Sequence, residues 1–76
     1  MMNDDYGFWD QLAGQWKQFR GSVREMWGKL TDDDLEQIKG NHDQLVGRIQ
    51  ERYGIAKEEA NSQVDEWVES MREKFR

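Results

Sequence analysis

The stretch from Trp16 to Leu35, WKQFRGSVREMWGKLTDDDL, constrains the fold more than any other part of the chain. Its apolar residues recur at spacings of three and four, which places them in one stripe along an α-helix. The stripe consists of Trp16, Phe19, Val23 and Trp27. Gly28 follows it, where a glycine can adopt the left-handed conformation that ends a helix. Thr31 then predicts an N-cap, with aspartates at 32–34 in the first turn of a second helix. The stretch therefore predicts an αα-hairpin.

A second copy of this pattern follows at an offset of 26 residues. Five residues recur identically: Gln18, Gly21, Glu25, Gly28 and Gln37 return as Gln44, Gly47, Glu51, Gly54 and Gln63. The apolar residues Phe19, Val23, Trp27 and Ile38 match Leu45, Ile49, Tyr53 and Val64 in character. Gly40 and Asn41 separate the copies as a helix stop and an N-cap. The duplication predicts an all-α fold of four main helices, arranged as two α-hairpins packed against each other.

Two glycines lie inside predicted helices at equivalent positions of the repeat, Gly21 and Gly47. Glycine in a helix interior is less favourable than alanine by about 0.5–1 kcal/mol, so its presence needs a reason. We expect the first and third helices to approach closely there, leaving no room for a Cβ. A ligand that approaches the backbone is the alternative.

The composition is that of one small hydrophilic domain. The chain has 76 residues, a mean hydropathy of −1.13 and 36% charged residues, averages that resemble those of disordered chains. Aromatic residues at helical spacing nevertheless predict an ordered core. We expect residues 1–7 to form a mobile leader and residues 8–76 to form the helical domain. Phe8, Trp9 and Leu12 predict either a separate helical turn over the core or the first turns of the helix that contains Trp16.

Several functional classes are disfavoured by what the sequence lacks. It has no cysteine, so it cannot form a disulfide or a cysteine-ligated zinc site. No apolar run approaches the roughly 20 residues that span a bilayer, and the start Met-Met-Asn-Asp-Asp lacks the features of a signal peptide. We expect a soluble, cytoplasmic monomer.

Charge is distributed unevenly along the chain. The net charge of −5 opposes nucleic-acid binding, which depends on neutralising phosphates. The first hairpin helix is nevertheless basic, and the residues from 58 to 73 are acidic. We expect these helices to attract each other within the molecule. The alternative is a partner-binding surface formed by Lys17, Arg20 and Arg24.

No constellation in the sequence predicts catalysis. His42 is the only histidine, and its place beside Asn41 predicts a surface residue at a helix start. Asp32, Asp33 and Asp34 lack the alternating spacing of a calcium-binding loop and fit helix capping better. The spacing of the four tryptophans predicts a buried core rather than an exposed surface on which ligand rings stack. Trp9 is the exception, because it lies outside the repeat. We predict no catalytic residue, no metal site and no cofactor.

The strings WKQFRG and WGKLTDDD, followed by QLVGRIQERYGIAKEEA and VDEW, resemble the CsbD-like family of small bacterial proteins. The resemblance covers about residues 8–69. It implies a bundle of two roughly orthogonal α-hairpins and a role in general stress, with no catalytic mechanism. We therefore expect a non-enzymatic stress-response protein that acts as a hydrophilic protectant. A protein-interaction module using the basic first or acidic last helix is the alternative, and weak nucleic-acid binding is a second one.

Overall fold

The computed structural model describes residues 3–74, with side chains from Gly7 onward. Five α-helices follow one another: α1 (Asn3–Gly14), α2 (Trp16–Met26), α3 (Asp32–Ile38), α4 (His42–Tyr53) and α5 (Lys57–Lys74). No strand occurs within residues 3–74, so the predicted all-α class is confirmed. Helices α2 to α5 correspond to the four expected helices, and α4 begins 26 residues after α2, as the repeat requires.

Helix α1 is an additional element. It is a separate helix, joined to α2 through Gln15 alone, rather than the first turns of α2. Because α1 begins at Asn3, the expected boundary between the leader and the helical domain, at residue 7, lies within this helix. The mobility of the leader stays a prediction, and Met1 and Met2 lie outside the described residues.

Side-chain caps begin α3 and α4 as expected. The Thr31 hydroxyl accepts a hydrogen bond from the Asp34 backbone N–H at 3.1 Å, and the Asp34 carboxylate accepts one from the Thr31 N–H at 3.0 Å. This reciprocal pair is a capping box. The Asn41 side-chain oxygen accepts from the Gln44 N–H at 3.0 Å. Both predicted N-caps are confirmed.

The helix ends follow the prediction at Gly40 and Gly54 and depart from it at Gly28. Gly54 ends α4 in the left-handed conformation, with φ of +64°. The expected left-handed conformation at Gly28 was wrong, because among the described glycines only Gly40 and Gly54 have positive φ. Helix α2 ends instead through a hydrogen bond from the Trp27 N–H to the Val23 carbonyl at 2.8 Å.

The close approach expected at Gly21 and Gly47 was also wrong. A Cβ added at either position would meet no atom within 4 Å, and both residues are exposed. The close approach lies at Gly40, which ends α3 together with the left-handed Lys39. A Cβ on Gly40 would lie 2.6 Å from the Ala13 Cα of α1. Glycine is therefore required where the α3–α4 turn meets α1.

The predicted stripes form the core. Among the fully buried side chains are Val23, Trp27, Ile38, Leu45, Ile49 and Val64. Two tryptophans also bond across the core: the Trp16 Nε1–H donates to the Leu35 carbonyl at 2.8 Å, and the Trp27 Nε1–H to the Gln63 side chain at 2.9 Å. The most extensive backbone contacts between helices join α4 to α5, α3 to α4, and α1 to α2. Within residues 3–74, none of the helices has the length and apolar character needed to cross a membrane.

Candidate functional site: the charged faces of α2 and α5

The three residues predicted as a partner surface lie on one side of α2. Lys17, Arg20 and Arg24 are spaced by three and four residues, which aligns them along a helix face. Lys17 and Arg24 are exposed, and Arg20 is half-buried. The structure thus brings these residues together, while their binding of a partner stays a prediction.

Two of these cations already have partners on α3. The Arg20 Nη1 lies 3.8 Å from a Glu36 carboxylate oxygen, and Arg24 donates a hydrogen bond to Asp32. Lys17 forms no ion pair within the described part of the chain. Pairs this exposed contribute about 0–1 kcal/mol, so they weaken the basic face without abolishing it.

The expected attraction between α2 and α5 does not take the form of ion pairs, because the arginines of α2 reach α3 instead. Lys29, just beyond α2, lies over the Tyr53 ring at 5.2 Å. The acidic residues of α5 form no ion pair with any residue in the range 3–74. These residues, here called the α5 acidic face, are Glu58, Glu59, Asp65, Glu66, Glu69 and Glu73. They are all exposed.

One acidic residue has a role that the sequence analysis missed. Asp34 is only 2% exposed, and its carboxylate accepts hydrogen bonds from Arg52 Nε at 2.7 Å and Nη2 at 2.9 Å. Arg48 adds a longer contact at 3.4 Å. The hydrogen bond from Arg52 lowers the pKa of Asp34 well below its usual range, although burial acts in the opposite direction. Asp34 therefore joins the start of α3 to α4 through an ion pair in which the carboxylate is buried and the Arg52 side chain is exposed.

A signal for this role is present in the sequence. Thr31 and Asp34 have the spacing of a capping box, which separates Asp34 from its two neighbouring aspartates. Arg48 and Arg52 lie four residues apart on one face of α4. The sequence does not show that these two features meet, because that depends on how α3 packs on α4.

His42 is the first residue of α4, as predicted, and its side chain is partly exposed. Its Nδ1 lies 3.2 Å from the Asp43 carboxylate. The ring of Trp9 packs edge-on against it, with centroids 5.2 Å apart, and also contacts Trp67 at 6.2 Å. Trp9 is half-buried and joins α1 to the core.

The described side chains include no group of three or more histidine, cysteine, aspartate or glutamate residues placed to hold a metal ion. An open groove of about 390 Å³ lies between α1, α2 and α5. Its apolar part is formed by Phe8, Leu12 and Phe19, and the Arg72 side chain lies at its edge over the Phe8 ring. This groove combines apolar and polar groups without the converging titratable residues of a reaction centre.

The fold and these surfaces define a small all-helical protein whose distinctive chemistry lies on charged helix faces. The CsbD-like family model matches residues 10–62, and the chain belongs to that family. The UPF0337 protein YjbJ of Escherichia coli O6:H1 is 60% identical over 58 residues, which cover 76% of this chain and 84% of YjbJ. The UPF0337 protein ECA0631 of Pectobacterium atrosepticum is 64% identical over the same shares of the two chains. The UPF0337 protein RPA4217 of Rhodopseudomonas palustris is 53% identical over 64 residues, covering 84% of this chain and 97% of RPA4217.

The resemblance seen in the sequence is thereby confirmed. The matched region begins at residue 10, inside α1, so Phe8 and Trp9 lie outside it. Both residues make ring contacts with Trp67, which lies beyond residue 62 and is also outside the matched region.

Proposed function

We propose that this protein is a general stress-response protein without catalytic activity, and that it acts as a hydrophilic protectant at high concentration. One observation carries the proposal: among the described side chains, Met26 is the only large hydrophobic one that is exposed. Such a surface resists association through apolar patches and stays hydrated when crowded. Membership of the CsbD-like family supports the stress role.

The α5 acidic face supports the same proposal. Its carboxylates have no cation partner within residues 3–74, so their charge is left to water and counterions. Net negative charge favours solubility at high protein concentration. A cytoplasmic location and a domain spanning residues 8–76 belong to this proposal, as does the pairing of α2 with α3 and α4 with α5 as two roughly orthogonal hairpins.

The test is recovery of a labile enzyme after drying in the presence of this protein. Protection is expected to exceed that of an equal mass of albumin and to rise smoothly with concentration. Protection no better than albumin's would end the proposal.

Two matched variants sharpen the test. One, Glu66→Gln/Glu69→Gln, neutralises two acids of the α5 acidic face. The other, Glu25→Gln/Asp33→Asn, removes the same charge from exposed positions elsewhere. A protectant that acts through its whole anionic surface should lose activity equally in both variants.

The second candidate function is a protein-interaction module. The α5 acidic face forms no ion pair among the described side chains, which favours that face over Lys17, Arg20 and Arg24, of which two already bond to α3. A saturable partner from osmotically stressed lysate should then be lost with Glu66→Gln/Glu69→Gln and retained with Arg20→Glu/Arg24→Glu. The reverse pattern would assign binding to the basic face. A gel shift at low salt tests the remaining alternative, nucleic-acid binding by α2.

A further inference from the structure

The corner between α1 and α2 is formed by a single residue, Gln15. Its ψ of +36° departs from the helical value of about −42°. Its N–H still donates to the Gln11 carbonyl at 3.1 Å, as it would in a helix, and its carbonyl accepts from the Gln18 N–H at 2.9 Å. The torsion angles of one residue therefore separate the bent chain from a continuous helix over residues 3–26.

Within the described chain, this corner lacks a side-chain cap. The first N–H groups of any helix have no acceptor inside it. The side chains of Thr31 and Asn41 accept such a bond at the starts of α3 and α4, whereas Gln15 makes no cap on α2. A continuous helix would offer the carbonyls of α1 to these N–H groups. Straightening the corner therefore adds backbone hydrogen bonds.

The apolar stripe of α2 continues into α1 without a change of period. Its spacings of four, four, three and four are those of one stripe on a single helix: Phe8, Leu12, Trp16, Phe19 and Val23. In the bent chain both halves of the stripe pack on the same core. In a continuous helix the half on α1 would extend away from that core, so it would need an apolar cover from another source.

The surface beneath α1 fits α1 closely. Leu12 is buried against it, and the Phe8 ring lies 6.3 Å from the Trp67 ring. Gly40 leaves room for the Ala13 backbone, which a Cβ on Gly40 would meet at 2.6 Å. If α1 moved away, this apolar surface would be exposed to water. The helix that matches all of these contacts is the α1 of a second copy.

We propose that two copies of this chain exchange their α1 helices, with each corner at Gln15 straightened so that α1 packs on the core of the other molecule. A reciprocal exchange is closed, so it gives a two-fold symmetric, domain-swapped dimer. Gly14 opposes the change, because it moves from the end of α1 into the interior of a longer helix. The bent monomer therefore prevails in dilute solution and the dimer at high concentration. The proposal does not depend on a protective role.

The test begins with the full chain, unfolded in urea and refolded at micromolar and at millimolar concentration. Size-exclusion chromatography is expected to show a monomer after the first and a dimer after the second. Two differently isotope-labelled batches, refolded together, then allow NMR to locate α1. The ring contacts of Phe8 with Trp67 and of Trp9 with His42 should join different molecules in the dimer.

Matched glycine variants test the role of the corner. Gly14→Ala favours the continuous helix and should raise the association constant about fivefold, because both chains of the dimer change. Gln15→Gly should lower it by a similar factor, since glycine disfavours a helix at that position. Gly7→Ala and Gly21→Ala lie within α1 and α2 in either form and should leave it unchanged. A Cβ at any of these three glycines meets no atom within 4 Å, so the alanine variants should keep the bent fold.

Three results would overturn the proposal. The first is a wild-type protein that remains monomeric after refolding at millimolar concentration. The second is a dimer in which the contact of Phe8 with Trp67 stays within one molecule. The third is an equal association constant for Gly14→Ala and Gly7→Ala. Circular dichroism confirms beforehand that each variant is folded.

Discussion

Arg52 holds the buried carboxylate of Asp34 with two hydrogen bonds, from Nε at 2.7 Å and from Nη2 at 2.9 Å. Asp34 also completes the capping box of α3 with Thr31, so a single side chain both stabilises the start of one helix and binds the next. The chain has three consecutive aspartates, and only this one is buried. The contact is therefore a sensitive point for mutation.

Asp34→Asn is expected to lower the free energy of unfolding by about 2–3 kcal/mol, because it removes a charged acceptor of Arg52 and weakens the capping box. The estimate is at the lower end for a buried pair, since Arg52 is itself partly exposed. Asp33→Asn, on the exposed neighbour, should change stability by less than about 0.5 kcal/mol. Urea unfolding of both variants measures the difference. Equal effects would show that the ion pair does not stabilise the fold.

The same contact predicts a pH dependence of stability. The pKa of Asp34 is lower in the folded protein than in the unfolded chain, because Arg52 donates hydrogen bonds to the ionised form. The stabilisation is therefore fully present above the ordinary aspartate pKa of about 3.9 and is lost as the pH falls below it towards the folded value. Urea unfolding between neutral and strongly acid pH should show a steeper loss for the wild type than for Asp34→Asn. Parallel curves would contradict this assignment.

Substitutions at two glycines should have opposite effects. Gly40→Ala places a Cβ 2.6 Å from the Ala13 backbone and at a φ of +79°, and it should destabilise the protein by at least about 2 kcal/mol. Gly21→Ala adds a methyl group to an open helix face and should stabilise the monomer by about 0.5–1 kcal/mol. Thermal unfolding in dilute solution compares them. A loss of stability for Gly21→Ala would indicate a packing role that the structure does not contain.

The hydrogen bond between Trp27 and Gln63 offers a further test. Gln63→Ala leaves the Trp27 indole N–H without its acceptor, and we expect a loss of about 1–2 kcal/mol. Ser62→Ala, at the exposed neighbour, is the control and should be close to neutral. Chemical unfolding followed by tryptophan fluorescence reports both effects. If the two variants were equally stable, water would be an adequate substitute for the Gln63 side chain.

Local features of the fold were predictable, and features that depend on packing between helices were not. The stripe of Phe19, Val23 and Trp27 is buried as its spacing indicates, and Thr31 and Asn41 are caps. These outcomes depend on residues within a few positions of one another. The close contact of Gly40 with Ala13 depends instead on where α1 packs, which no local pattern records.

The same distinction applies to the charged faces. Helical spacing correctly aligned Lys17, Arg20 and Arg24 on α2. The expected attraction between α2 and α5 stays a prediction, and the ion pairs of Arg20 and Arg24 are formed with α3. Opposite charges attract over distance, but an ion pair requires side chains that the tertiary fold brings within reach.

The ion pair of Asp34 and Arg52 also makes the two repeated halves unequal. The repeat places Ala60 at the position of Asp34 and Met26 at the position of Arg52, so the corresponding positions of the repeat contain no equivalent pair. Chains with internally similar segments are prone to misassembly, in which a segment joins the wrong copy during folding. Because this charge pair occurs only between α3 and α4, it distinguishes their native packing from packing with the similar helix of the other repeat copy. The ion pair therefore stabilises the native packing of α3 on α4 and would be lost if a similar segment of the chain took the place of either helix.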